Sequence, residues 1–219
     1  MRKAAHDPAD LPLWLVLLDV DEVLLDWFSG FAPFAEKILG RSLPPEGPLQ
    51  FDMTRWLGFT DRRDTISLVR SFNDREETGS DRLKPIPGAV EGVAALKEFG
   101  YRLVVVTSFT DHPASVSRRQ ANLDRVFGIG AFEDMVCIPL GGCKRDSLAK
   151  FPSGAWIDDL PGNVLAGHAA GHDAAVLDAH HNTSERDAFM RDHGLPWLLD
   201  WGQLLRSLDP EPVRTPDPA

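Results

Sequence analysis

Five short runs of unbroken apolar residues constrain this chain most: Leu13–Leu18, Leu103–Val106, Met135–Ile138, Ala155–Ile157 and Ala174–Leu177. A strand with one face in solvent alternates apolar and polar residues. A strand that is apolar at every position is covered on both faces, which is the condition of a parallel sheet. The intervening segments carry helix signals. Pro87-Gly88 opens a stretch with Val90, Val93, Ala94 and Leu96 apolar, which Gly100 closes, and Pro161 to Ala170 ends at Gly171. Strand–helix alternation predicts an α/β fold with a doubly wound parallel sheet. Ligands of such sheets bind outside the carboxyl ends of the strands, where strand order reverses.

One interval breaks the rhythm. Residues 27–84 are too many for a single crossover. Helical patterns over Phe28–Leu39 and Asp61–Phe72, split by the loop Leu43-Pro44-Pro45-Glu46-Gly47-Pro48, predict a small helical cap inserted after the first strand. The expected division is a core of residues 12–26 and 85–208, a cap of residues 27–84, and loose tails at 1–11 and 209–219. Proline density keeps the last tail from packing. The cations Arg55, Arg62, Arg63, Arg70, Arg75, Arg82 and Lys84 are nearly matched by acids, the pattern of a mixed-charge surface.

A net charge of −10 argues against binding nucleic-acid backbones. No apolar run approaches the roughly 20 residues that span a bilayer, and the polar N-terminal segment lacks the apolar core of a secretory signal. The expectation is a cytoplasmic protein without membrane or nucleic-acid partners; oligomeric state stays open. Cys137 and Cys143 make no disulfide framework, and without a matching histidine pair Cys137 reads as a small buried residue.

The chemistry-bearing residues fall behind the apolar runs. Asp19 and Asp21 follow the first, Thr107 and Ser108 the second, and Asp158 and Asp159 the fourth. Carboxylates at the exit of a buried strand are costly to place unless something uses them. Strand ends share one sheet edge, so these residues can converge. Such a set suits phosphoryl transfer, which needs a nucleophile, charge neutralisation and a proton donor for the leaving oxygen. Asp19 would attack phosphorus and Asp21 would protonate the leaving alcohol, then activate water. Mg²⁺ would be held by Asp19, the Asp21 carbonyl and Asp158, beside Asp159. Lys144 would neutralise phosphate and nucleophile, with Lys150 as the alternative, and Thr107 and Ser108 would hold phosphate oxygens. Each piece has a plainer reading: Asp158-Asp159 as a turn and helix cap, Thr107-Ser108 as a hydroxyl turn, Lys144 as a solvated lysine.

Taken together, the chain resembles the haloacid dehalogenase superfamily of phosphohydrolases. Asp19-Val-Asp21-Glu-Val-Leu is similar to its first motif, Val-Val-Val-Thr107-Ser108 to the second, Lys144 to the third and Trp-Ile-Asp158-Asp159 to the fourth. The resemblance spans roughly residues 14–205 and implies a Rossmann-like core with an inserted cap, Mg²⁺ and a small phosphorylated substrate. The dehalogenases of the superfamily lack the second aspartate, so Asp21 argues for phosphate chemistry. Within it the chain is most similar to the 5'(3')-deoxyribonucleotidase group, through the segments Asp19–Trp27, Leu83–Glu91 and Val106–Ser108, and through His181-Asn182 and Trp201. That likeness implies a (deoxy)nucleoside monophosphate substrate and makes Trp27 a candidate base-stacking residue, with Phe51 and Trp56 as looser candidates that cap packing would equally explain. The group has glycine where this chain has Glu22. The alternatives are a sugar-phosphate phosphatase, a phosphotransferase, or a catalytically idle relative that binds a phosphorylated ligand.

Four histidines invite a second metal reading. His168 and His172 have helical ligand spacing, but Gly171 should end their helix, and the reading for these and for His180 and His181 is ordinary surface or helix-end residues.

Overall fold

In the computed structural model, which describes residues 14–74 and 81–208, every apolar run is a strand. β1 (Leu15–Leu18), β2 (Arg102–Ser108), β3 (Asp134–Ile138), β4 (Ala155–Asp158) and β5 (Asp173–Leu177) are joined by a two-residue β6 (Trp197–Leu198). All neighbours pair in parallel, in the order β3-β2-β1-β4-β5-β6. The tails 1–11 and 209–219, residues 12 and 13 of the expected first strand and core segment, and Arg75 lie outside the described residues.

The unbroken apolar patterns follow from two-sided burial. Successive strand side chains point to opposite faces. Leu15 and Leu17 pack on one face with Val104, Val106, Trp156 and Val176, and Val16 and Leu18 on the other with Leu103, Val105, Ile157 and Leu177. Each such burial contributes about 1.5–3 kcal/mol against exposure.

The helices are α1 (Trp27–Leu39), α2 (Arg62–Asp74), α3 (Ala89–Glu98), α4 (Pro113–Phe127), the short α5 (Arg145–Leu148), α6 (Pro161–Ala169), α7 (Arg186–His193) and α8 (Trp201–Leu208). Two close approaches depend on glycine. A Cβ at Gly92 of α3 would sit 2.2 Å from the Trp201 ring, and one at Gly167 of α6 would sit 2.1 Å from the Trp156 ring.

Helices α1 and α2 form the insert. Asp26 caps α1 by accepting from the Ser29 amide at 3.0 Å, and Gly40, at φ 65°, ends it. Trp27 stacks on Phe31 at 4.4 Å between centroids and meets Phe72 of α2 edge-on. The chain leaves and re-enters the sheet side by side: Leu25 bridges Pro85, the Asp26 amide donates to Lys84 O at 2.8 Å, and the Ile86 amide donates to Leu24 O at 3.0 Å. The insert therefore stands on a two-stranded stem at the carboxyl end of β1.

Candidate active site

Strand β1 lies between β2 and β4: the chain winds from β1 outward to β2 and β3, then crosses to β4 on the other side of β1 and winds outward to β5 and β6. The crevice beyond the carboxyl ends of β1 and β4 is the switch point. Asp19 is the first residue past β1, and its amide, donating to Ile157 O at 2.9 Å, ties it to β4. Asp158 ends β4 and Asp159 follows. Thr107 and Ser108 are the last two residues of β2 rather than its successors, because β2 pairs with β3 as far as Ser108–Ile138.

Three of the predicted carboxylates meet. Asp19, Asp158 and Asp159 are all buried, and each offers an oxygen within 4.8 Å of the others. Lys144, 1 % exposed, lies between two of them: its Nζ is 2.7 Å from Asp19 Oδ2 and 2.7 Å from Asp158 Oδ2. Lys150 takes no part in this cluster. Desolvation opposes the charge on Lys144, yet Asp158 and Asp19 outweigh it and raise its pKa. The second oxygens of Asp19 and Asp158 are held by backbone amides and, for Asp158, by Asn163. Asp19 Oδ1 accepts from the Val20 amide at 2.7 Å, and Asp158 Oδ1 accepts from the Leu160 amide at 2.8 Å and Asn163 Nδ2 at 3.1 Å. The Asp158 turn that the sequence offered as a plain alternative is thus present as well, but it uses only one of the two oxygens.

One ammonium does not balance three carboxylates. Burial pushes Asp19 and Asp158 up to about 6, Lys144 pulling each back down, and pushes Asp159 up as well, with the Asp19 charge adding to it. Buried acids held above their ordinary range, with oxygens gathered to one point, fit a hard divalent cation that prefers oxygen ligands. Among the described residues no other such cluster occurs, and His168, His172, His180, His181 and both cysteines belong to none. His172 is buried against Leu148 O at 3.0 Å, Cys143 is exposed, and Cys137 is half-buried in β3 instead of fully buried.

Asp21 sits apart from the three. The chain turns back over Val20–Leu25, with the Leu24 and Leu25 amides both donating to Val20 O at 2.8 Å. Asp21 lines the cavity and pairs with the buried guanidinium of Arg119 from α4. Its side chain is no member of the metal cluster, so the expected contribution of Asp21 to a metal rests on its backbone carbonyl alone. Burial raises its pKa and Arg119 opposes this. Glu22 completes the turn at φ 61°, a left-handed conformation that glycine adopts freely and other residues only at a cost. Its carboxylate accepts from the Phe28 amide at 2.9 Å at the start of α1, and burial pushes its pKa up to about 8.

The cavity above this cluster measures about 400 Å³. Its floor carries Asp19, Asp21, Thr107, Lys144 and Asp159, and its roof is one face of α2: Arg62, Thr65, Ile66, Val69, Arg70 and Asn73. Among the described residues Thr107 has no hydroxyl hydrogen bond to protein, whereas the Ser108 hydroxyl donates to Pro139 O at 3.1 Å and accepts from the Gly141 amide at 3.0 Å. Ser108 therefore braces the loop that leads to Lys144. Trp27 lines the cavity but has one face covered by Phe31 and its Nε1 bonded to Asn73 Oδ1 at 3.0 Å. Trp56 packs in the insert and donates to Pro44 O at 3.0 Å, while Phe51 and Phe28 reach the cavity.

Sequence reasoning named His181 and Asn182 without giving them a place at the site, and it missed Arg119. His181 is buried, not the surface or helix-end residue expected: it lies between Phe28 and Phe51, at 5.4 and 6.2 Å, with Nε2 2.9 Å from Asp159 Oδ2; among the described residues neither ring nitrogen makes a hydrogen bond, and burial lowers its pKa. Asn182 donates to the Asp159 carbonyl and fixes that loop. Arg119 had a readable signal. The inward stripe of α4 is Ser115, Arg119, Asn122 and Leu123, largely polar where a packed helix is normally apolar.

No family model matches the sequence, and no curated protein matches it. Solved structures do match in fold. A "predicted phosphatase" from Clostridium acetobutylicum shares 16% identity at a TM-score of 0.63, covering 90% of this chain and 98% of that one. A haloacid dehalogenase-like hydrolase from Bacteroides fragilis shares 14% at 0.64, covering 88% and 100%. A HAD family hydrolase from Deinococcus radiodurans R1, with bound phosphate and sodium, shares 20% at 0.58, covering 91% and 96%. The chain thus has the six-stranded α/β fold found in haloacid dehalogenase-type hydrolases.

Proposed function

We propose that the chain is a Mg²⁺-dependent phosphomonoesterase of the haloacid dehalogenase type, acting through an aspartyl-phosphate on a small organic phosphate. The observation that carries this reading is the meeting of Asp19, Asp158 and Asp159 at the switch point, with Lys144 between the first two and a cavity above them. Bound phosphate in the Deinococcus hydrolase of the same fold supports it.

The roles follow from position. Asp19 is the nucleophile, held by the Val20 amide and Lys144. Asp21, across the turn, gives a proton to the leaving oxygen and takes one from water in the second step. Thr107 offers its hydroxyl to a phosphate oxygen. Mg²⁺ would be held by Asp19, Asp158 and the Asp21 carbonyl, with Asp159 beside it, and would supply charge neutralisation for phosphate and nucleophile. The insert acts as a cap over residues 27–84, whose α2 face and Phe28, Phe51 and Trp27 bound the leaving group.

Two substrate classes suit the cavity. Aromatic walls from Phe28 and Phe51 favour a nucleoside monophosphate, Trp27 contributing through the part Phe31 leaves uncovered. A sugar phosphate fits the same volume, and a phosphotransferase would use the same Asp19 adduct. Retention of every acid in the cluster disfavours an idle ligand-binding relative. A turnover screen of nucleoside monophosphates and sugar phosphates, with Mg²⁺ and with EDTA, tests the reading. Activity that EDTA removes and that Asp19→Asn abolishes is expected; metal-independent turnover, or an active Asp19→Asn variant, would overturn it.

A further inference from the structure

We infer that Arg119 is a positioning residue for Asp21, holding its carboxyl by one oxygen so that the other meets the leaving group; this rests on the phosphomonoesterase reading above. Arg119 sits midway along α4 and is 1 % exposed. Its Nη1 bonds Asp21 Oδ1 and its Cζ lies 4.2 Å from the centre of the Phe109 ring. Its Nε and Nη2 are buried and have no hydrogen-bond partner among the described residues.

That arrangement is a poor way to build a core. A buried guanidinium with unmet donors is costly, and an apolar side chain of similar length commonly stabilises such a position equally or better. Among the described residues its one hydrogen bond is to Asp21, whose side chain makes no other and faces the cavity. The Phe109 face and the α4 backbone hold Arg119 itself, so the constraint passes from a rigid helix to a residue in a tight turn.

The chemistry needs that constraint twice. In the first step an Asp19 oxygen forms a bond to phosphorus, the ester P–O bond breaks, and the Asp21 proton goes to the departing alcohol. In the second, a water oxygen bonds to phosphorus and its proton passes to the Asp21 carboxylate. The Asp19–phosphorus bond breaks with its electrons returning to Asp19, and phosphate leaves. A carboxyl free to rotate would miss both transfers while substrate binding stayed as it was.

The test uses the full chain with Mg²⁺, glycerol 1-phosphate and p-nitrophenyl phosphate, comparing wild type, Arg119→Met, Arg119→Lys, Asp21→Asn and Asp21→Asn/Arg119→Met. Arg119→Met should lower kcat on glycerol 1-phosphate about a hundredfold with KM little moved. Its loss in phosphoenzyme formation should be at least about tenfold smaller on the aryl ester, whose leaving group needs little proton assistance. Arg119→Lys should recover part of kcat. On p-nitrophenyl phosphate, Arg119→Met should cost nothing further in the Asp21→Asn background. A folded Arg119→Met variant with wild-type kcat, or one losing the same factor with and without Asp21, overturns the inference. If Arg119→Met does not fold, Arg119→Lys decides: a fall in kcat confined to chains that retain Asp21 supports it, and an equal fall in both backgrounds overturns it. A wild type inactive on every phosphomonoester, with Mg²⁺ present, would instead overturn the reading of the activity itself.

Discussion

Glu22 carries two opposed effects in one residue. Its backbone sits at φ 61°, which costs a non-glycine residue about 1–2 kcal/mol, while its carboxylate satisfies the Phe28 amide at the start of α1. Glu22→Ala keeps the strain and loses the bond; Glu22→Gly loses both. The alanine variant should therefore be the less stable of the two by about 1 kcal/mol in urea unfolding; an alanine variant equal to or firmer than glycine would contradict this. The buried carboxyls also set a pH dependence. Asp158 and Glu22 are raised to about 6 and about 8, above the 3.8 and 4.5 of free groups, and burial raises Asp19 and Asp159 with them. Between pH 4 and 8 these four acids hold more protons folded than unfolded, outnumbering the opposite effect of the one lowered histidine, His181, so stability falls as pH rises. In EDTA the Tm at pH 8 should lie below that at pH 5; a flat or rising profile would show that these acids are not desolvated as described. Residue-scale legibility was uneven. Asp19 and Asp158 could be read because a buried strand marks its own exit, whereas Lys144, six residues past β3, was singled out through the resemblance, with Lys150 as the alternative. The contact of Arg119 with Asp21, across 98 positions, could not be read, because nothing local records which helix face meets which turn.

Strands were the most legible elements, since two-sided burial writes itself as an unbroken apolar run. β6 was not, because two residues hold no periodicity. The helices α1 and α2 were legible from the helical patterns over Phe28–Leu39 and Asp61–Phe72, while the Asp26 and Gly40 caps that bound α1 went unread. Close packing between elements was hidden. Gly167 lies in α6, where alanine would gain about 1 kcal/mol of helix propensity, yet its missing Cβ makes room for the Trp156 ring at 2.1 Å. Trp156 is fully buried and donates to Asn163 O at 3.1 Å, so it has no free direction in which to retreat. Overpacking of this kind costs about 1–3 kcal/mol, so Gly167→Ala should lower stability and move α6, which carries Asn163 and its bond to Asp158. A Tm at or above wild type would mean the ring can shift.

At the scale of the molecule, the sheet brings residues 19, 144 and 158 into one cluster, and the proposed cap is tied to the core by a stem at Leu24–Asp26 and Lys84–Ile86. Alternation predicted a doubly wound parallel sheet with its strand ends on one edge, but the order β3-β2-β1-β4-β5-β6 that sets this juxtaposition was not read from it. What the insert contacts was not legible either, because its roof depends on how α2 lies over the core: Thr110 donates to Asp74 Oδ1 at 2.8 Å and Arg118 to the Asp74 carbonyl at 2.7 Å. A ligand that bridges floor and roof should stabilise the whole. Mg²⁺ with a phosphate mimic such as vanadate, at a hundred times its Kd, should add about 2.7 kcal/mol and raise Tm by roughly 5–10 °C, and Asp158→Asn should lose most of that shift. An equal shift in that variant would remove Asp158 from the metal set. The most direct measurement is acid quench of wild type turning over a ³²P-labelled phosphomonoester with Mg²⁺, followed by peptide mapping of the label. The account predicts label on Asp19, absent when EDTA is added. Turnover with label on another residue, or with no covalent label under conditions where phosphoenzyme breakdown has been slowed, would contradict it.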